Sequence, residues 1–230
     1  PGGPEDVRVR EVSLMSSAIT HGGKLPISVK EFEEETSPIG QIRRHVFVID
    51  KSASMSETIK VISSIGVISW SSKDTGVTHM NGAKGELKKR LDGMNEEDEF
   101  FIIFFDKDIE AMPTEIMPAT PDNIDALRHW IDDQEPAATK ETRAERIKGP
   151  SDALGRALEQ EPDVIWLLCD GEFSSRVVQL VEDMNPSRPV RINTLSCSSG
   201  YWRNNKLRYL ATENGGTFGL ITPASASASK

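Results

Sequence analysis

The stretch His45-Val46-Phe47-Val48-Ile49-Asp50-Lys51-Ser52-Ala53-Ser54-Met55 sets the frame for the whole chain. Its apolar first half, bounded by a polar turn, reads as a strand buried on both faces, as in a parallel sheet. Residues directly after such a strand emerge at the carboxyl edge of the sheet, where open α/β folds place their ligands. Asp50, Ser52 and Ser54 bring one carboxylate and two hydroxyls to that edge. An all-oxygen surface of this kind suits a small, hard divalent cation better than a thiolate or imidazole site would. The same three residues also suit turn and N-cap hydrogen bonds for a following helix. The stretch alone leaves both readings open.

Two further stretches repeat the pattern. Phe100 to Phe105 is continuously apolar and closes on Asp106-Lys107-Asp108, and Asp163 to Cys169 closes on Asp170-Gly171-Glu172. Helical patterns run from Ala83 to Leu91 and from Pro121 to Ile131, the latter opened by Thr120 as N-cap with proline at the first helical position. Further helices are expected over Ala153 to Glu159, opened by Gly149-Pro150-Ser151-Asp152, over Val177 to Met184, and over Asn205 to Glu213, stopped by Gly215-Gly216. Strands at Val190 to Leu195 and Thr217 to Ile221, and a short edge strand within Glu110 to Met117 interrupted by Pro113, complete the series. The alternation predicts an α/β fold with a mostly parallel sheet and helices on both faces.

Two segments exceed what that alternation needs. Residues 56–82 separate the first strand from its helix, whereas such connections usually take about 4 to 6 residues. Their β-branched content tilts the reading towards a strand or hairpin in part. Residues 135–148 are charged and aperiodic and read as a mobile loop. Both insertions are expected on the edge that carries Asp50, as a rim or lid. Residues 1–43 read as a lead-in packing on the sheet edge, 44–222 as one domain, and 223–230 as a low-complexity, linker-like tail.

Composition narrows the partners. With 230 residues, 37% hydrophobic and 27% charged, the chain can bury one sizeable core. Its formal charge of −9 and pI near 5.1 argue against nucleic acid, which needs a clustered basic surface. The cluster Lys88-Lys89-Arg90 falls in a helical pattern and reads as a solvated face. Cys169 and Cys197 lie in apolar strand-like runs and read as buried free thiols, not a disulfide framework. They do not fix a compartment. No apolar run approaches the roughly 20 residues that span a bilayer, and no signal-like segment follows Pro1. The compartment is not readable; the lean is to a soluble, extracytoplasmic portion of a larger protein, with or without a membrane anchor.

Three separated pieces now share one edge: Asp50-Lys51-Ser52-Ala53-Ser54, Ser151 in the Gly-Pro-Ser-Asp turn, and Asp170-Gly171. Together they resemble the von Willebrand factor type A domain family and its metal-ion-dependent adhesion site, which combines Asp-x-Ser-x-Ser, a distant threonine and a strand-ending Asp-Gly. The resemblance covers about 44 to 221. It implies a Rossmann-like three-layer α/β/α fold with one antiparallel edge strand. It also implies a magnesium or manganese ion held directly by Ser52 and Ser54, with Ser151 direct or through water, and with Asp50 and Asp170 largely holding waters. Hydroxyls in place of carboxylates leave the ion net positive, so an open position can accept an Asp or Glu carboxylate from a partner protein. Three departures stand out. Ser151 lacks threonine's rotamer-fixing methyl, Ala53 replaces a common glycine, and Lys51 places a cation that either points away or shields the carboxylates.

The expected function is therefore a non-enzymatic, metal-dependent protein-binding module. Two alternatives accompany it: a scaffold domain with an empty or purely stabilising site, and a magnesium-dependent phosphoryl-transfer enzyme with Asp50 as nucleophile. Against the enzyme, the chain has no Gly-rich phosphate loop and no motif-placed base. Asp106 and Asp108 read as loop capping, Glu172 as a neighbour of the metal's water shell or a surface residue, and Tyr201-Trp202-Arg203 as packing. His21, His45, His79 and His129 show no ligand spacing, and His79 is singled out because its insertion lies near the site.

Overall fold

The computed structural model describes residues 43–65, 69–198 and 201–221; the expected lead-in and tail lie outside them, apart from Arg43. Eight strands and five helices follow in order among these residues. They are β1 (Arg44–Asp50), β2 (Thr58–Ile65), β3 (Ser69–Thr78), α1 (His79–Asp92), β4 (Glu99–Phe105), β5 (Ile109–Pro118), α2 (Pro121–Asp132), α3 (Glu145–Leu158), β6 (Val164–Cys169), α4 (Ser175–Met184), β7 (Arg191–Ser196), α5 (Tyr201–Glu213) and β8 (Phe218–Leu220). Six strands form one sheet in the order β5-β4-β1-β6-β7-β8, parallel except for edge strand β5, and β2 and β3 form a separate antiparallel ribbon. This is the expected α/β architecture.

The continuous apolar runs explain the layers. Alternate residues of a strand face opposite sides of a sheet, so Phe47 and Ile49 enter one core with Phe100, Ile102, Phe104 and the apolar faces of α1 and α2. Val46 and Val48 enter the other with Phe101, Ile103, Ile165, Leu167 and the faces of α3, α4 and α5. Strand β1 lies between β4 and β6, with Asp50 opposite Phe105 and Ile49 opposite Leu168. The chain moves to one side of β1 for β4 and β5 and to the other for β6, β7 and β8. The carboxyl ends of β1 and β6 thus meet where the order reverses, the usual crevice of open α/β sheets.

Several local expectations hold. Thr120 accepts a hydrogen bond from the Asn123 N–H at the start of α2, with Pro121 in its first turn. Cys169 and Cys197 are buried and free. Burial, and after it the charges of Asp50 and Asp170, push both thiols well above their ordinary range. Ellman's reagent is accordingly expected to leave the native protein untouched and to titrate the two thiols only after unfolding in urea; prompt native reaction would contradict this burial.

Others need correction. Helix α1 begins at His79, not Ala83, behind a Thr78 N-cap that receives the Asn81 N–H at 3.1 Å. Gly82 and Gly85 dilute its apolar period. The residue 56–82 insertion is thus a hairpin plus the first turn of α1. Strand β5 is a full ten residues long, and the register slips opposite Phe100 to Ile102, so Pro113 sits in a bulge on an edge. The basic cluster is not wholly solvated: Lys88 pairs with Asp132, and Arg90 bonds Glu86 at 2.8 Å and lies over the Trp166 ring.

The largest correction concerns α3. Gly149-Pro150 does not open this helix but lies inside it. Proline has no N–H for the carbonyl of Arg146, four residues back; that carbonyl instead accepts the Ser174 N–H at 3.3 Å. The helix entrance is a reciprocal pair, in which Thr142 N–H donates to Glu145 Oε2 at 2.7 Å and Glu145 N–H to Thr142 Oγ1 at 3.3 Å. Residues 135–148 are therefore not a free loop. Their Ala137 N–H bonds the Lys51 carbonyl at 2.7 Å, and Glu141 accepts a bond from the neighbouring Ala53.

Candidate metal centre

Asp50 ends β1 and is only 4% exposed. Its Oδ1 accepts the Ser52 N–H at 2.7 Å, turning the chain so that Ser52 and Ser54 lie with their Oγ atoms 3.0 Å apart. A 3-10 turn over Ala53–Ser56 carries them, pinned from below by fully buried Met55. The Ala53 N–H donates to Glu141 Oε1 at 3.0 Å. Lys51 points away from the carboxylates and pairs with Glu110 on β5.

Asp170 follows β6 and is fully buried. It repeats the device of Asp50: its Oδ1 accepts the Glu172 N–H at 2.8 Å. The intervening Gly171 has φ +81°, and a Cβ there would meet the Arg203 carbonyl at 2.6 Å, so the turn needs glycine on both counts. Asp170 Oδ2 lies 3.4 Å from Arg203 Nη1 and 4.0 Å from His79 Nδ1. That Nδ1 is buried and has no hydrogen-bond partner among the described residues. Arg203 also pairs with Glu172, and lies 3.6 Å from Glu57.

Burial first, and then the neighbouring charge of Asp170, push the Asp50 carboxyl up to about 8, against the hydrogen bonds from Ser52 that favour its ionised form. Burial likewise holds His79 below its ordinary value, with Asp170 pulling the other way.

Of the residues singled out from the sequence, Asp50, Ser52 and Ser54 form one connected group, and the charge of Asp170 acts on Asp50. Ser151 lies inside α3, where its hydroxyl donates to the Ile147 carbonyl at 2.6 Å, and no hydrogen bond among the described residues ties it to the other four. Asp106 accepts the Asp108 N–H at 2.9 Å, the loop role expected of it. His79 does lie at the site. Glu141 and Arg203 join it without any signal in the sequence around them. Glu141 sits 88 positions from its partner Ala53, and no local pattern marks such a contact.

The donor set fits a small hard cation. Magnesium takes oxygens at about 2.0–2.1 Å in an octahedron, which puts adjacent ligands about 2.8–3.0 Å apart. The two hydroxyl oxygens stand 3.0 Å apart. Among the described residues no three His, Cys, Asp or Glu side chains converge as a metal cage, so an ion here would depend on the serines.

No family model matches this sequence, and no curated protein matches it. Solved structures do share its fold. A von Willebrand factor type A protein from Catenulispora acidiphila is 17% identical, with a TM-score of 0.57 over 81% of this chain and 40% of that one. A conserved hypothetical protein, BatB, from Bacteroides thetaiotaomicron is 11% identical, with a TM-score of 0.57 over 81% and 94%. An aerotolerance-related membrane protein from Bacteroides fragilis is 18% identical, with a TM-score of 0.54 over 81% and 94%. This chain thus spans less than half of the first protein and nearly all of the other two. The similarity establishes a von Willebrand factor type A-like fold. Among the described residues no helix is long and apolar enough to cross a membrane.

Proposed function

We propose that this chain is a non-enzymatic, divalent-metal-dependent protein-binding module. Ser52 and Ser54 hold a magnesium or manganese ion, Asp50 and Asp170 orient its waters, and a partner's Asp or Glu carboxylate completes the coordination. When bound, the ion supplies a Lewis-acidic position for that carboxylate. The observation that carries the reading is the pair of hydroxyls 3.0 Å apart beside two buried carboxylates at the reversal of strand order. Two buried acids at close quarters are costly unless a cation compensates them. Ser151 belongs to the same set through its oxygen lone pairs, which stay available while its proton is donated to Ile147. A membrane context like that of the aerotolerance-related membrane protein from Bacteroides fragilis is part of this proposal.

Magnesium or manganese at about a hundred times its dissociation constant should stabilise the fold by about 2.7 kcal/mol, or roughly 5–10 °C in Tm for a chain of this size. EDTA should reverse the shift, and Ser52→Ala should remove it. A wild-type Tm indifferent to both metals and to EDTA would refute the site. One contact favours a second reading, a scaffold domain: Arg203 already places a guanidinium 3.4 Å from Asp170. In that case Arg203→Ala destabilises the metal-free protein and no metal rescues it. Hydrolysis of p-nitrophenyl phosphate lost on Asp50→Asn would instead favour the phosphoryl-transfer alternative.

A further inference from the structure

We propose that the cleft beside the Asp170-Gly171-Glu172 turn is an acidic-peptide subsite. It seats a second carboxylate of the same partner segment whose first carboxylate reaches the Ser52/Ser54 site, and so rests on the metal-dependent function proposed for that site. The cleft encloses about 370 Å³, and its walls include Arg143, Arg146, Arg203, Lys206 and Glu172. Four cations face one carboxylate there, in a chain whose formal charge is −9. Arg143 and Arg146 come from the entrance of α3, and Arg203 and Lys206 stand one turn apart on α5.

Glu172 demonstrates how a carboxylate is received. Arg203 takes one of its oxygens, and Arg146 Nη1 stands 3.8 Å from the other. Lys206 is anchored on the floor, over the Phe173 ring and on the Phe173 carbonyl. Arg143, by contrast, is exposed, and no hydrogen bond or ion pair engages it among the described residues. It is the cation left to meet an incoming anion. Gly171, on the cleft wall, directly follows Asp170, and Arg203 touches both Asp170 and Glu172, so cleft and metal centre are contiguous. An extended segment advances about 3.3 Å per residue. A partner with acidic residues a few positions apart therefore spans both.

The test uses fluorescence anisotropy with a labelled Gly/Ser peptide carrying one Asp, and the same peptide with two Glu added shortly after it. With saturating Mg²⁺ the triacidic peptide should bind about tenfold tighter, equivalent to about 1.4 kcal/mol. Arg143→Glu or Arg146→Glu should erase that advantage. Lys89→Glu, the same charge change at an exposed site on α1, should not. Equal affinities of the two peptides, or an Arg143→Glu effect no larger than that of Lys89→Glu, would overturn the subsite. If EDTA abolishes binding of the single-Asp peptide while Arg143→Glu changes nothing, the metal reading stands and the subsite fails. A triacidic advantage that persists in EDTA and in Ser52→Ala, yet disappears in Arg143→Glu, supports the subsite and removes the metal reading. Arg143-dependent binding of phosphatidylserine vesicles without binding of either peptide would replace the peptide with a membrane surface.

Discussion

Asp50→Asn should raise the melting temperature of the metal-free protein at pH 8 and abolish its response to magnesium. Asparagine keeps an Oδ1 to accept the Ser52 N–H but removes a buried negative charge facing Asp170. The sign comes from linkage. The folded-state carboxyl of Asp50 is raised to about 8, above its unfolded value of about 3.9, so the folded state binds the proton more tightly. Its contribution to stability is complete below the unfolded value and is lost as pH rises through the folded one. Half-buried His45 and buried His79, whose values are lowered, act in the opposite direction at their acid end. The difference between the two proteins over about pH 6.5 to 8.5 isolates the carboxylate, since the histidines and the buried thiols Cys169 and Cys197, which also titrate between folded and unfolded states, are common to both. Across that range metal-free wild type should lose on the order of 2 kcal/mol relative to Asp50→Asn, or roughly 4–8 °C in Tm. Magnesium competes with the same proton, so its stabilisation of wild type should grow with pH while Asp50→Asn stays flat. Parallel pH profiles for the two proteins would show that Asp50 carries no buried charge and would sink the argument.

How much of the fold is legible in the sequence depends on how local each signal is. Strands β1, β4 and β6 are legible because each is apolar on both faces, which only a central parallel strand needs. Asp50 and Asp170 are legible because a carboxylate directly after such a strand has a predictable place. Residues 135–148 mislead for the opposite reason. Proline favours a helix start, and Gly149-Pro150 invites that reading, but a distant backbone donor, Ser174, satisfies the carbonyl that Pro150 leaves unbonded. A readable mark of the true start is present in Thr142-x-x-Glu145, a capping-box spacing.

Contacts across large sequence separation stay hidden. Lys51 lies beside Asp50 in the chain, and its charge suggests a role at the carboxylates; only the β4–β5 pairing reveals Glu110 as its partner. Arg203 looks like part of an aromatic cluster, yet the close approach of its backbone to Gly171 places it against Asp170. Ser151 shows the limit from the other side: its position matches a motif, while the helix around it gives its hydroxyl a local acceptor.

Gly149→Ala should be among the most damaging single substitutions in α3, while Gly155→Ala, the same change nearly two turns later, should be harmless. A Cβ on Gly149 would lie 1.7 Å from the Asp106 carbonyl oxygen and 2.9 Å from its carbon. Both are backbone atoms at the end of β4, so no flexible side chain can yield. The helix must retreat instead, drawing with it the Arg146 carbonyl that receives Ser174 N–H and the preceding segment whose Glu141 holds Ala53. Overpacking conflicts typically cost about 1–3 kcal/mol and occasionally more, and a clash with backbone that cannot yield places Gly149→Ala at about 3 kcal/mol, the upper end of that range. At Gly155 a Cβ would only touch Met184 Sδ at an ordinary 3.6 Å. There alanine's better helix propensity should add about 0.5–1 kcal/mol. Urea melts of the two variants decide the point, and equal midpoints would mean that the α3–β4 approach is not as close as this structure has it. The same pair links packing to function. If the segment entering α3 truly braces the serine turn through Glu141, Gly149→Ala should weaken the magnesium-induced stabilisation even in conditions where it remains folded, and Gly155→Ala should leave it unchanged.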